Sequence, residues 1–497
     1  MAAGKLRRWG LAQTKLQLTC IAAIAVCSLG AACRGHVSGS AALQQKSGQA
    51  PQPADARLTT YNKEVGSPQV QAGRDGSIHV AFVEATNPGL EDFVFYRSST
   101  DGGKSWSAPV NLSQDMPGHM VGPCRLAVDG QNRVYVVWRA IATPNTGLPS
   151  SRGPDYVACN LFYRSLSNGQ WGPITPINAP LADPQNQRIG IGSFFAAADP
   201  TGKVHVAYSV NTDVFHPELM FQAGTKYAQH QAAMGTGSVA EVDLDGNQHS
   251  APREVFLTTV TPAGAFKACD GLSLLDGYFD ASGAPHFVAE ATANNEPFGQ
   301  TRIAIVEGGK QTTAVTLPTS TVETYPPWLL VDAQGRNHII VDFGGGEEHS
   351  VRDYVAGTGQ YTVLKTETPV HFPIRGFQAG QGPAGTMAVV MELNANGLDD
   401  GETWIAIYDG KAWRPAVQLT HYKTMDSGTY TALGLRSSVT TVGHWNAGAT
   451  GAVTIDNTGH VLLVHEADHS GSVAVQGGGV TGVGGGTSSP ELLFHHF

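Results

Sequence analysis

One short pattern recurs seven times along this chain and limits the folds that it can adopt. Each copy is a turn related to Asp-x-x-Gly, set between two short apolar runs, and in four copies a histidine follows the glycine by three residues. The copies lie at residues 73–76, 129–132, 199–202, 280–283, 332–335, 382–385 and 456–459. Successive copies are about 50 to 80 residues apart, which is enough for one four-stranded sheet each. The pattern therefore predicts an array of small sheets.

Composition agrees with an all-β chain that contains many turns. Only 14% of the residues are charged, and 60 of the 497 are glycine, which is not typical of coiled coils or of disordered chains. Apolar runs of strand length bounded by Gly, Asp and Pro recur throughout, whereas helical spacing of apolar residues is scarce.

The strands at the two ends of the array are both accounted for if the sheets close into a ring. The last repeat ends with an apolar run at residues 491–497, and an extra strand at residues 57–61 precedes the first repeat. If that extra strand completes the final sheet, no unpaired edge remains. The sequence thus predicts a seven-bladed β-propeller of four-stranded antiparallel blades. Six blades are the alternative, since the copy at 382–385 is weak.

Residues 99–106, Ser-Thr-Asp-Gly-Gly-Lys-Ser-Trp, join two strand-like runs in a predicted hairpin. The octet resembles the Asp-box, also called the BNR repeat, of sialidase-type β-propellers and matches each of its fixed positions. In that family the box closes a hairpin on the face away from the active site. The resemblance therefore implies the propeller fold strongly and a function weakly, and it implies structural roles for Asp101 and Trp106.

The N-terminus is predicted to be a targeting segment. Four basic residues and an apolar run at 16–29 lead to Gly-Ala-Ala-Cys at residues 30–33, the order of a secretory signal. Cys33 resembles a bacterial lipoprotein acylation site, although Gly30 stands where that pattern has leucine. Simple cleavage near Ala32 is the rival interpretation, and both place the protein outside the cytoplasm. We expect a signal segment over 1–32, a flexible tether over 33–56 and a propeller domain over 57–497.

Charge and cysteine content limit the partners. Removal of residues 1–32 takes the formal charge from −10 to −14, so nucleic-acid binding through the net field is not expected. A monomer is expected. Export would permit a disulfide, for which Cys124 and Cys159 are the favoured pair, with Cys269 buried and inert. The histidines at 79, 205, 286 and 338 are predicted to be structural rather than metal ligands.

The predicted functional face lies opposite the turns, where the second strand of each blade ends. Counting along the repeats places one residue of each blade there: Glu84, Arg139, Ser209, Glu290, Asp342, Glu392 and Glu466. Five of the seven are acidic, and like charges that face one another are costly. Two of the five carboxylates could act as acid and as base or nucleophile on a sugar. Alternatively, with Glu347–Glu348 and Asp399–Asp400, they could hold Ca²⁺, or each could simply bond backbone amides.

Basic and aromatic residues of the same face are candidates for substrate binding. Arg125, Arg139 and Arg375 could pair with an acidic group, and Trp445 could stack on a sugar ring. The sialidase site itself is not recovered: the first inner strand lacks Arg-Ile-Pro, and residues 373–375 hold those residue types in another order.

The sequence therefore predicts an exported propeller that binds or hydrolyses a glycan at an acidic central pocket, and whether it is an enzyme stays open. The alternative function is a non-catalytic scaffold for a protein partner at the cell envelope.

Overall fold

The computed structural model describes residues 56–59, 65–87, 91–116, 119–142, 159–178, 187–214, 234–258, 267–268, 276–292, 301–316, 327–345, 348–367, 376–394, 401–419, 439–475, 483–484 and 490–496. All of them belong to one unit that spans residues 48–497. The predicted signal segment 1–32, Cys33 and the tether except Ala56 lie outside the described residues. Within the described part of the chain, no helix has the length and apolar character needed to cross a membrane.

The described strands form seven separate antiparallel sheets, which we call blades 1 to 7 in chain order. Blade 1 contains β2 (Val65–Ala72), β3 (Ile78–Asn87), β4 (Glu91–Ser99) and β5 (Val110–Asn111). Blade 2 contains β6 (His119–Val128), β7 (Val134–Ala142), β8 (Cys159–Ser167), β9 (Gln170–Trp171) and β10 (Thr175–Pro176). Blade 3 contains β11 (Gln187–Ala198), β12 (Val204–Val214), β13 (Met234–Asp245), β14 (Gln248–His249) and β15 (Arg253–Thr258).

The second half of the chain repeats this plan. Blade 4 contains β16 (Lys267–Ala268), β17 (Gly277–Phe279), β18 (Pro285–Thr292), β19 (Thr301–Glu307) and β20 (Lys310–Thr316). Blade 5 contains β21 (Trp328–Val331), β22 (Asn337–Gly345), β23 (Glu348–Val355) and β24 (Tyr361–Glu367). Blade 6 contains β25 (Gly376–Gln381), β26 (Met387–Asn394), β27 (Gly401–Tyr408) and β28 (Val417–Gln418), with a 3-10 turn at Pro383–Gly385. Blade 7 contains β29 (Val439–Ile455), β30 (Val461–Val475), β31 (Val483–Gly484), β32 (Pro490–His496) and β1 (Ala56–Arg57).

The blades close into a ring. The innermost strands contact one another in the order β2, β6, β11, β17, β21, β25 and β29, and β29 returns to β2. Apolar side chains of neighbouring blades share clusters, as where Val70 and Val80 of blade 1 pack with Leu462 and Val464 of blade 7. This burial between blades supplies the main stabilisation of such a ring. The predicted seven-bladed propeller is confirmed, and the six-bladed alternative is wrong.

The last blade is completed from the other end of the chain, as predicted. Ala56 pairs with Phe494 and Arg57 with Leu493 in antiparallel register. The amide of Leu58 then donates to the carbonyl of Leu492 at 2.8 Å, and the side chain of Leu58 is buried. The described pairing includes Ala56, one residue before the predicted strand.

The hairpin turns lie on one face of the ring, which we call the turn face. In blades 2, 3, 4, 5 and 7 the turn aspartate accepts, through Oδ1, the amide hydrogen of the residue four positions later. The Asp-box lies on the same face, because Ser99 at its start pairs with Ile78 just after the first turn. Asp101 of the box accepts the amide hydrogen of Ser105 at 2.9 Å, and Trp106 donates to the carbonyl of Gly103.

The recurrent histidines connect the turns to the third strands. In blade 3, Nε2 of His205 lies 3.1 Å from Asp199, while its Nδ1 lies 2.9 Å from Asp243 and 3.1 Å from Glu241. Burial opposes the charged imidazole, but the bonds to Glu241 and Asp199 outweigh it and raise the pKa of His205. His338 of blade 5 lies between Asp332 and Asp353 in the same way.

The favoured disulfide between Cys124 and Cys159 is wrong. Cys124 carries a free buried thiol, whose pKa burial raises to about 12. It pairs with Trp138 on β7, whereas Cys159 pairs with Ile141 on the other side of β7. Two strand spacings amount to about 10 Å, which is beyond the roughly 7 Å that a disulfide can span between Cα atoms. Cys269 lies outside the described residues.

Candidate functional site

The inner strands of all seven blades surround one central cavity of about 630 Å³. Its wall includes residues of β2, β6, β11, β17, β21, β25 and β29. Small-molecule sites in proteins have volumes of this order. The ring thus places a ligand-sized cavity on its axis.

Seven residues of the cavity wall, one from each blade, lie at the same distance along the chain from their turns. We call these seven residues one level of the wall. Each blade contributes the residue four positions before the first residue of its turn, and all seven of these residues line the cavity: Gln69, Arg125, Phe195, Asp276, Trp328, Gln378 and Ala452. This level combines one cation, one carboxyl group, two amides and the partly exposed ring of Trp328, whereas the Phe195 ring is buried. Such a mixture can bind a polar ligand with apolar faces.

Asp276 stands at this level immediately before β17. Burial raises the pKa of Asp276 to about 7, while the positive charge of Arg125 and the amides of Leu329 and Gly277 act in the opposite direction. The Leu329 amide donates to Oδ2 of Asp276 at 3.1 Å, which links blade 5 to blade 4. A carboxyl group with this pKa exchanges its proton near neutral pH. It can therefore donate or accept a proton there.

Arg125 supplies the positive charge of the same level from blade 2. Its guanidinium lies 5.9 Å from the centroid of the Phe194 ring, and Nη1 donates to the carbonyl of Cys124 at 3.3 Å. The planar guanidinium can bind carboxylates or hydroxyl groups in a forked geometry. The sequence predicts Arg125 as a substrate-binding residue, and Arg125 lies on the cavity wall.

The five predicted catalytic carboxylates occupy second strands, whereas the inner strands form the cavity wall. Asp342 on β22 and Glu392 on β26 are fully buried, and the Glu392 carboxylate faces Gly451 of the next blade. Glu290 and Glu466 lie on β18 and β30, with side chains outside the described ones. As catalytic residues, all five stay predictions.

Glu84 lies one residue further from its turn than the other acidic residues do. It follows its turn glycine by eight positions, whereas Asp342 and Glu392 follow theirs by seven. Because side chains alternate along a strand, Glu84 faces the opposite side of its blade from the side that Asp342 and Glu392 face in theirs. It pairs with Val65 on the inner strand.

The other predicted binding residues are spread over several parts of the fold. Arg139 is half-buried on β7, opposite Leu161. Trp445 lies on β29 opposite His469, and nothing of its side chain is described. Arg375 lies outside the described residues. As substrate contacts, all of these residues stay predictions.

Asp276 is not among the residues predicted from the sequence, because those predictions concern the ends of second strands. The signal that could have identified it is its register: Asp276 precedes Asp280 by four residues, as Arg125 precedes Asp129.

Comparisons with known proteins concern the fold. No protein-family profile matches the chain, and no curated protein matches it. A Hadza microbial sialidase, Hz136, superposes with TM-score 0.38 and 10% identity over 87% of this chain, which spans 65% of that protein's length. A Dyadobacter fermentans protein of unknown function gives TM-score 0.41 and 12% identity over 87% of this chain and 95% of its own length. An α-L-arabinanase of Penicillium chrysogenum superposes with TM-score 0.41 and 13% identity over 70% of this chain and 94% of its own length.

The fold and cavity define the class as a seven-bladed β-propeller with a charged, ligand-sized central cavity. Identities of 10 to 13% do not indicate a function. The function is therefore inferred from the chemistry of the cavity.

Proposed function

We propose that this protein is an exported propeller that binds or hydrolyses a glycan in its central cavity. The observation that carries the proposal is Asp276, a carboxyl group with a pKa of about 7 on the cavity wall, at the same level as Arg125. Trp328, on the same wall, offers an aromatic surface to the apolar face of a sugar ring.

In a hydrolytic reaction, protonated Asp276 would donate its proton to the glycosidic oxygen as that bond breaks. A second carboxylate would then act as nucleophile, or as the base that activates water. Candidates for this second role are the predicted residues Glu84, Glu290, Asp342, Glu392 and Glu466. Arg125 would bind an acidic or hydroxyl group of the sugar, aided by Arg139, Arg375 and Trp445. A further proposal for the face opposite the turns is that several of these five carboxylates bind Ca²⁺, aided by Glu347–Glu348 and Asp399–Asp400.

The first test compares Asp276→Asn with the wild type on a panel of sialosides, arabinans and other glycosides. General acid catalysis contributes about 10²- to 10⁴-fold, so kcat should fall by at least about 100-fold in Asp276→Asn. Asp115→Asn is the matched control, since Asp115 is exposed and outside the cavity wall. The proposal fails if a glycoside is hydrolysed and Asp276→Asn retains wild-type kcat.

A second test assigns the other carboxylate. Asp342→Asn and Glu392→Gln should each lower kcat by at least about 100-fold if that residue reacts with the substrate. Unchanged kcat, with a lowered melting temperature, would assign these buried carboxylates to packing between blades. Equilibrium dialysis with the same glycans distinguishes a binding protein from an enzyme, because binding without turnover leaves the glycan intact.

One observation favours the scaffold alternative. Large apolar side chains are exposed on the outer strands of blades 5 and 6, with Tyr361 50%, Val363 42% and Val417 59% accessible. Tyr361 and Val363 are two residues apart and therefore share one face of β24, and contiguous exposed apolar groups mark contact surfaces in many proteins. If the scaffold function holds, Val417→Ser with Tyr361→Ser should abolish capture of an envelope partner while glycan binding is unchanged.

A further inference from the structure

Three potential metal ligands meet on the turn face of blade 7. Asp456 opens the turn, His460 follows it directly, and His496 stands near the end of the closing strand β32. One ligand atom from each lies within 4.8 Å of the other two. His460 is 54% exposed, so its ring can adjust to a ligand.

Comparison between the blades shows how the turn of blade 7 differs. In blades 2 to 5 a basic side chain of the same blade contacts Oδ2 of the turn aspartate at 2.6 to 3.1 Å, in the pairs Asp129–Arg133, Asp199–His205, Asp280–His286 and Asp332–Arg336. In blade 7 the contact of Oδ2 with Nδ1 of His460 lengthens to 3.7 Å. Oδ1 of Asp456, in contrast, keeps the usual bonds to its own turn. The carboxylate is therefore held in place through Oδ1, while Oδ2 faces His460.

The hydrogen bonds of the two histidines determine their neutral tautomers. Nδ1 of His496 lies 3.1 Å from the carbonyl oxygen of Gly102, and since a carbonyl only accepts, Nδ1 carries the proton. Nδ1 of His460 lies 2.6 Å from the hydroxyl oxygen of Thr458, which donates its own hydrogen to Asp456. Thr458 thus accepts from His460. Both rings carry their lone pair on Nε2, with Nδ1 held by an outer partner as is common for metal-ligating histidines.

A second cluster of such residues in the described part of the chain differs in this respect. His205, Glu241 and Asp243 also lie within ligand distance of one another. There, however, Lys203 bonds Asp243 at 2.6 Å, and Arg253 bonds Glu241 at 2.9 Å. Protein cations already neutralise that cluster, so the blade 7 cluster is the better candidate.

We propose that Asp456, His460 and His496 bind one divalent transition-metal ion of the Zn²⁺ class, which ties the last turn to the closing strand. Two imidazoles and one carboxylate suit Zn²⁺ rather than Ca²⁺ or Mg²⁺, with a water as the fourth ligand. Tetrahedral ligands about 2.1 Å from the ion are about 3.4 Å apart, and the three ligand atoms lie within 4.8 Å of one another. Movements of these side chains by about an ångström would therefore complete the geometry.

The experiment titrates ZnCl₂ into the purified full chain, prepared without a polyhistidine tag and treated with chelator. Calorimetry gives stoichiometry and affinity, and a thermal melt gives the effect on stability. We expect about one Zn²⁺ per chain and a rise in melting temperature with Zn²⁺ that an equal concentration of Ca²⁺ does not produce.

The decisive variant is His460→Arg. Blades 2 and 5 carry arginine at this position, where it bonds the turn aspartate, so the variant should fold without metal as well as the wild type. It should bind Zn²⁺ at least tenfold more weakly and lose the metal-dependent rise in melting temperature. His496→Gln is the second variant, and His249→Gln, a histidine of a different hairpin, should behave like the wild type.

Unchanged Zn²⁺ affinity in both His460→Arg and His496→Gln would overturn the proposal, as would a wild-type chain that shows neither heat of binding nor a shift in melting temperature. These readouts are independent of any glycan, so they do not depend on the function of the central cavity.

Discussion

His79 and His205 occupy the same position of the repeat, but the pKa of His79 is lowered and that of His205 is raised. The difference arises because their partners on the third strand differ. His205 lies between carboxylates, and its pKa is raised. His79 lies between the hydroxyl groups of Ser77 and Tyr96, and burial lowers its pKa to about 4. Identical residues in equivalent turns therefore contribute to stability in different pH ranges.

The first prediction concerns His205→Gln. A raised folded pKa means that the contribution of His205 is fully present below the unfolded pKa of about 6.5 and is lost as pH rises through the folded value. Hydrogen bonds to charged groups are worth about 1.5–3 kcal/mol, so the variant should lose about 2 kcal/mol of unfolding free energy at pH 6 and less at pH 8.5. Urea unfolding at both pH values measures this difference.

His79→Gln is the control with the opposite sign. Neutral His79 stabilises the fold above about pH 6.5, and this contribution is lost as pH falls toward 4. The loss of stability in His79→Gln should therefore be greater at pH 7.5 than at pH 5. If both variants show the same pH trend, the assigned partners of the two histidines are wrong.

At the scale of the element, the Asp-box joins the first blade to the last. Trp106 packs edge-on against the Phe494 ring of β32, with centroids 5.0 Å apart, and His496 lies against Gly102. The resemblance to the Asp-box implied a structural role for Trp106. The contact with the closing strand is an additional finding, since the octet carries no information about its partner in space.

The second prediction is that Gly103→Ala destabilises the protein more than Gly76→Ala. Both glycines have positive φ, +91° and +82°, which costs an L-residue about 1–2 kcal/mol. A Cβ at Gly103 would also come within 2.2 Å of the Phe494 ring, whereas one at Gly76 meets no heavy atom within 4 Å. Gly103→Ala should therefore lose about 1–3 kcal/mol more, since overpacking costs about that amount.

Thermal and urea unfolding of the two glycine variants measure this difference. Equal losses would mean that Phe494 moves aside without cost, and that the Asp-box does not hold the closing strand.

At the scale of the whole molecule, sequence periodicity was sufficient for the architecture and insufficient for the site. The regularly spaced turns predict the number of blades, and the two terminal strands predict that the ring closes. The site was harder, because side chains of a second strand alternate between the two neighbouring blades. Asp342 and Glu392 are consequently buried, and Glu392 faces Gly451 of the next blade. Asp276 precedes an inner strand of only three residues, too short to recognise from a pattern of alternation.

The last prediction tests closure of the ring. Deletion of residues 1–47 leaves every described strand of blade 7 intact, so the melting temperature should be unchanged. Deletion of residues 1–59 removes β1, the buried Leu58 and the hydroxyl of Thr59 that accepts from the Leu492 amide. Burial of one leucine contributes about 1.5–3 kcal/mol, and three backbone pairings add to it. The longer deletion should therefore lower the melting temperature by several degrees.

Removal of β1 also leaves β32 as an open edge, which favours pairing between chains. Size-exclusion chromatography should show dimers or larger species for the longer deletion and a single species for the shorter one. If the two truncated proteins melt at the same temperature and elute alike, the N-terminal strand does not close the ring in solution. The propeller would then be held by contacts between blades 1 and 7 alone.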